Sequence, residues 1–190
     1  MNPNPPEPVN RRGFLGKAAR VLAMTGVGAL LGKLAGATAA KETVWQIDPS
    51  KCIYCGKCAR CCVLDQSAVK CVHAYAICGY CELCTGYFGP TPTELNTAAE
   101  NQACPTAAIK RTFVDDPYYE YAIDEKLCIG CAKCVAGCTS YGNGSLFLQI
   151  RHDICLHCNE CAIARVCPGD AFVRVPADKP YLIKTTPTTS

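Results

Sequence analysis

Sixteen of the eighteen cysteines in this 190-residue chain fall into four runs, and any fold it adopts must be built around them. Each run opens with C-x2-C-x2-C: Cys52, Cys55, Cys58; Cys78, Cys81, Cys84; Cys128, Cys131, Cys134; and Cys155, Cys158, Cys161. A further cysteine lies downstream of each, at Cys62, Cys104, Cys138 and Cys167. Three thiols at i, i+3 and i+6 wrap a loop around three points, and a fourth must come from elsewhere. A 4Fe–4S cubane needs that set, one thiolate per iron. Structural zinc takes two CxxC pairs, or a CxxC with a histidine pair, and does not need a third cysteine at i+6. A disulfide framework is the other rival for so many cysteines. The repeated triplet favours four 4Fe–4S clusters, held by all sixteen cysteines, over both.

The runs are related by an internal repeat. IDPSKCIYCGKC from Ile47 reads like IDEKLCIGCAKC from Ile123, and AYAICGYCELC from Ala74 like RHDICLHCNEC from Arg151. ACPTAAI from Ala103 reads like VCPGDAF from Val166. The offset is 76 residues from Cys52 to Cys128 and 77 from Cys78 to Cys155, the mark of a duplicated unit. In this alignment Cys62 matches Cys138, so Cys61 is spare, and Cys71 matches Leu148 in an apolar stretch. Cys71 is expected as a buried small hydrophobe, since free cysteine packs well in cores. The first unit carries an insertion at 85–103 that includes GPTPTELNTAAEN, rich in turn formers. It reads as a solvated loop or, more sharply, as a docking loop for a partner.

Residues 1–39 differ in character. Arg11 and Arg12 precede Phe14 and Leu15, an apolar run follows from Val21 to Leu31, and Ala37 and Ala39 form an A-x-A pattern. This resembles a twin-arginine signal. The apolar run is short of the ~20 residues of a membrane span. An uncleaved leader acting as an anchor is the alternative. A GVGALLG stretch in the leader lacks a preceding strand and is spaced wrongly for dinucleotide binding. Twin-arginine export carries folded proteins, which suits clusters assembled inside the cell. The expected location is the periplasm, or the periplasmic face of a bacterial inner membrane.

Residues 44–176 resemble tandem bacterial-type two-cluster ferredoxins. With the leader, the chain resembles the exported four-cluster ferredoxin-type subunits of periplasmic nitrate reductase systems and of dimethyl sulfoxide reductase relatives. In two-cluster ferredoxins the fourth cysteine of each run ligates the other cluster and is often followed by proline. Pro105 and Pro168 follow Cys104 and Cys167; Val63 and Thr139 follow the other two. The resemblance implies an α+β fold of two tandem bacterial ferredoxin-like domains, with a small core cross-linked by four cubanes. The first would span 40–118 and the second 119–190, with a C-terminal tail. It implies four ligand sets: Cys52, Cys55, Cys58 with Cys104; Cys78, Cys81, Cys84 with Cys62; Cys128, Cys131, Cys134 with Cys167; Cys155, Cys158, Cys161 with Cys138. Dimethyl sulfoxide reductase subunits space their first two runs more widely, and pair first with fourth and second with third. The close spacing within each half here favours sequential pairing, the cheaper loop closure.

Charge gives no support to nucleic-acid binding. The chain is +3 overall, but five of its bases and one acid lie in 1–39, leaving 14 bases and 15 acids with no basic stripe. TVWQI, SAVKCVHAYAI, YYEYAI, SLFLQI and AFVRV read as short strands, with short helices after the cysteine loops. Metal binding would then supply folding energy, and the apo chain is expected to be largely unfolded. No nucleophile with a base, phosphate loop or paired catalytic carboxylates is present, and Asp115–Asp116 before Pro117 reads as a domain-boundary linker. Sixteen cysteines in closed coordination leave no open iron for a small-molecule substrate.

His157 could donate to a cluster or be an exposed loop residue; His73 and His152 read as structural. Trp45, Tyr54, Tyr80 and Tyr121 are expected to shield clusters from water. The expected function is electron transfer, without catalysis, between a redox partner and a membrane quinone or haem subunit of a cell-envelope oxidoreductase complex. A freely diffusing periplasmic polyferredoxin, a catalytic iron–sulfur enzyme with a missing ligand, and a zinc-stabilised interaction module are the alternatives.

Overall fold

The computed structural model describes residues 42–74 and 78–184, with 15–16, 20–22 and 24–25 of the leader. The leader positions Arg11, Arg12, Ala37 and Ala39 lie outside the described residues. Among the described residues no helix is long and apolar enough to cross a membrane.

From Thr43 onward the described residues form one compact unit of mixed α+β structure. The chain runs β1 (Thr43–Ile47), α1 (Cys58–Cys61), β2 (Val69–His73), β3 (Tyr80–Cys81), a 3-10 turn (Ala99–Asn101), β4 (Ile109–Asp115), β5 (Tyr118–Ile123), α2 (Lys133–Tyr141), β6 (Leu146–Ile150), α3 (Ala162–Val166) and β7 (Phe172–Pro176). All five short apolar stretches supply strands. α1 and α2 grow out of the first and third runs, α3 follows Cys161, and Cys62 and Cys167 sit at the C-caps of α1 and α3.

The strands do not pair within the expected halves. β1 pairs antiparallel with β7 in the register Ile47↔Phe172, and β2 with β6 in the register Cys71↔Leu148. β4 and β5 form a hairpin, with β3 on the outer edge of β5. The expected boundary at 118/119 therefore cuts into β5, and Asp115–Asp116–Pro117 is a hairpin turn, not a linker between domains. The division into 40–118 and 119–190 is corrected accordingly: 78–141, with the second and third runs, is inserted between the first and fourth. The same step of 103 residues takes 43–47 to 146–150 and 69–73 to 172–176.

Side-chain burial explains why this pairing wins. β2 reads VKCVH with Val69, Lys70 and Cys71 all buried, and β6 reads LFLQI with four of its five residues buried, so neither leaves a face for water. Gln46 of β1, fully buried, holds the two pairs together. Its Oε1 accepts from Ile47 N at 2.8 Å and Ile150 N at 2.9 Å, and its Nε2 donates to Pro180 O at 2.9 Å. A buried amide with these bonds satisfied fixes one arrangement of β1 against β6.

The turn-rich stretch of the insertion, 89–101, is mostly exposed, as a solvated loop would be, while the base of the insertion is packed. Tyr87 and Phe88 are buried, and Tyr87 meets Tyr121 at 5.5 Å between ring centroids. Buried Asn101 accepts on Oδ1 from Thr93 N at 3.1 Å and Thr93 Oγ1 at 2.9 Å. Arg111 lies 5.1 Å from the Phe88 centroid and 3.7 Å from that of Tyr119, and donates to Leu95 O at 2.9 Å. The adjacent aromatics at 87 and 88 were the available sequence signal.

Candidate metal centres

The loop conformation within the runs follows the repeat. In C-x-x-C the second intervening residue is left-handed in three runs: Tyr54 (φ 59°), Gly130 (φ 72°) and His157 (φ 50°). These residues carry the backbone N–H groups that reach the sulfur of the run's first cysteine, at Cys52, Cys128 and Cys155. After the second cysteine, Gly56 (φ 73°) and Ala132 (φ 64°) turn the chain again. Beyond the fourth cysteines, Ala107 (φ 50°) and Asp170 (φ 47°) match, and the following N–H groups of Ala108 and Ala171 donate to Cys104 Sγ at 3.2 Å and Cys167 Sγ at 3.4 Å. A left-handed non-glycine residue costs about 1–2 kcal/mol. That cost is concentrated on loops whose amides face sulfur.

Backbone contacts then place a downstream cysteine segment beside each run. The residue entering the first run donates Asp48 N to Ala171 O at 2.7 Å, four residues past Cys167. Entering the third run, Asp124 N donates to Ala108 O at 2.7 Å, four residues past Cys104. Entering the fourth, Arg151 N donates to Ala68 O at 2.9 Å, in the segment after Cys62. At the second run the contact is steric: a Cβ on Gly137, next to Cys138, would lie 2.5 Å from Thr85 O, and one on Gly86 would lie 3.4 Å from Cys138 Cβ. Only the bare backbone allows this approach.

The thiols agree with the backbone. Behind burial, Cys167 is among the neighbours that raise the Cys52 and Cys58 thiols, Cys138 among those that raise Cys78, Cys104 among those that raise Cys131, and Cys62 among those that raise Cys155. One cavity is lined by Cys62, Cys155, Cys158 and Cys161, walled by Trp45 and Ile163. A second is lined by Cys104, Cys128, Cys131 and Cys134, with Cys71 beside them. The described placement differs from the expected sets: Cys167, not Cys104, lies beside the first run; Cys138, not Cys62, beside the second; Cys104, not Cys167, beside the third; and Cys62, not Cys138, beside the fourth.

Burial pushes Cys58 and Cys84 up to about 12 and Cys78 to about 11. Burial also raises Cys52, Cys128, Cys131 and Cys155. Buried thiols in fours resist ionisation unless a positive centre accepts them. All eighteen cysteines are free. Among the described residues no three ligating side chains meet at the single point a lone ion requires. A cubane presents its irons at separate corners, so its thiolates surround a volume, as the thiols lining these two cavities do.

The other singled-out residues divide. Trp45 Nε1 donates to Cys158 O at 2.8 Å under the Arg174 guanidinium, 4.2 Å from the ring centroid. Tyr121 is buried beside Cys84, and Tyr54 is half-buried within its run. Tyr80 is 63% exposed. His157 is exposed; its Nε2 lies 3.2 Å from His152 O, and its ring stacks on His152 at 5.5 Å. Sequence reasoning missed Gln46 and Lys70.

Comparison with protein-family models, with curated proteins and with solved structures gives no match.

Proposed function

We propose that the chain is an electron-transfer subunit carrying four 4Fe–4S clusters on two interleaved bacterial ferredoxin-like units. The observation that carries this reading is the gathering of sixteen thiols into four groups, each made of one C-x2-C-x2-C loop and one cysteine from another run. Cys52, Cys55, Cys58 and Cys167 would hold the first cubane, and Cys78, Cys81, Cys84 and Cys138 the second. Cys128, Cys131, Cys134 and Cys104 would hold the third, and Cys155, Cys158, Cys161 and Cys62 the fourth. Bound cubanes supply one-electron chemistry at potentials set by charge, hydrogen bonding and exposure.

The protein's own part is insulation and spacing. Backbone N–H groups on the sulfurs withdraw charge from them, while Trp45, Tyr121 and the paired strands keep water away. The order of the groups follows from packing. The first and fourth runs share the β1–β7 and β2–β6 pairs. Gly56 of the first run abuts the third, where an added Cβ would lie 2.9 Å from Cys131 O. The third and second runs share α2. These contacts favour the order fourth, first, third, second for the proposed path.

Exposed apolar side chains stand at both ends: Val63 and Leu156 beside the fourth run, Leu83 and Tyr141 beside the second. Exposed apolar groups rimming a redox site suit protein partners. A redox protein subunit at one end and a membrane quinone- or haem-binding subunit at the other would complete a cell-envelope oxidoreductase.

Iron and sulfide analysis with low-temperature EPR tests the reading. Anaerobically purified protein should contain about sixteen iron per chain, four for each cubane. About eight iron, or stoichiometric zinc in colourless protein, sinks it.

A further inference from the structure

We propose that Lys70 and Cys71, neighbours on β2, hold the reduction potential of the third-run cluster above the value its peptide environment alone would give. This rests on the reading that Cys128, Cys131, Cys134 and Cys104 bind a cubane.

Neither residue is needed as a ligand, yet both touch the group. Lys70 is 2% exposed, and its Nζ donates to the carbonyl oxygen of Cys128 at 2.6 Å. No carboxylate pairs with this ammonium among the described residues. A buried lysine is rarely tolerated unless a negative charge faces it. A cubane with four thiolates is such a charge, and it becomes more negative by one unit on reduction. Cys71 makes two further contacts. Its N–H donates to Cys128 Sγ at 3.3 Å, and its Sγ lies 3.5 Å from Cys134 Sγ. With Cys134 as a ligating thiolate, the Cys71 S–H is the only proton between the two sulfurs and must be the donor. Its side chain lines the same cavity as the four ligands.

All three interactions have one sign. A nearby cation and hydrogen bonds to the sulfurs stabilise the reduced, more negative state, and so raise the potential. β2 belongs to the first half of the chain and the third run to the second, so the interleaved fold itself delivers this tuning.

The test is EPR-monitored redox titration of the full-length holoprotein, with iron content measured alongside. Lys70→Met should shift the reduction equilibrium of one cluster at least tenfold toward the oxidised form, about 59 mV for one electron. The other three should stay in place, with iron at the wild-type value. Cys71→Ala should move the same cluster in the same direction. Cys71→Ser and Lys70→Arg keep a donor and a charge, so they should leave that midpoint near wild type even where the larger changes impair folding.

Full iron with four unmoved midpoints in the Lys70→Met/Cys71→Ala double variant overturns the proposal. So does a Cys71→Ser midpoint that falls as far as that of Cys71→Ala, because lost packing rather than a lost hydrogen bond is then the cause. Wild-type protein without cubane signals removes the four-cluster reading itself, an outcome visible before any variant is made.

Discussion

Cys61 and Cys62 are adjacent and chemically identical, and only their position separates them. Cys62 caps the C-terminus of α1 and lines the cavity shared with Cys155, Cys158 and Cys161, while Cys61 is the last residue of the helix. Cys62→Ser should therefore strip the cluster of the fourth run, lowering iron from about sixteen to about twelve per chain. Cys61→Ser should leave iron unchanged. Iron analysis of both variants decides it, and the reverse pattern would show the assignment displaced by one residue. Tyr54 and His157 carry the same lesson. Each sits at a backbone angle costly for its type, at a place where that angle turns a peptide N–H onto sulfur. Functional strain of this kind is read from the structure, not from residue identity.

At the scale of elements, two arguments competed. Loop closure favours short connections, so the sequential scheme had the first run reach forward to Cys104. Reaching Cys167 instead a little more than doubles the loop, and each doubling costs only about 0.6 kcal/mol. Burying a single Val or Leu side chain returns about 1.5–3 kcal/mol. The β1–β7 and β2–β6 pairs bury Ile47, Val69, Leu146, Leu148, Ile150 and Phe172 together, so packing decides. A fragment of 119–190 tests this. It keeps β6 and β7 but lacks β1 and β2, and lacks Cys104 and Cys62, which complete the third and fourth groups. Reconstituted beside the full chain, it should retain close to no iron. About eight iron in the fragment, two intact cubanes, would restore the sequential arrangement.

For the whole molecule, the described core joins strand residues such as Ile47, Val69, Leu148 and Phe172 to cysteines of the runs such as Cys58, Cys84, Cys128, Cys134 and Cys138. On the proposed four-cluster reading, assembly would precede export, because thiols in the unfolded chain would be open to oxidation. Arg11 and Arg12 are proposed to direct folded, loaded protein across the membrane. Changing both to lysine should leave cluster content intact and trap the protein in the cytoplasm. Cell fractionation with iron analysis measures both, and normal export of the variant would refute the leader assignment.

The sequence by itself determined the inventory. Covalent spacing makes C-x2-C-x2-C a loop around three points wherever it folds, so the four runs were legible, as were the five short strands and the burial of Cys71. The partnership of the runs was decided by tertiary structure alone. The repeat of 76–77 residues, the most visible periodicity, matches the first run to the third, yet the first packs with the fourth at a step of 103. That step is carried by strands, and strand pairing depends on which apolar faces meet and on buried groups such as Gln46. None of these leaves a local mark. For the same reason Lys70 reads in the sequence as one charge in an apolar stretch. Only the fold brings it, from the other half of the chain, against Cys128.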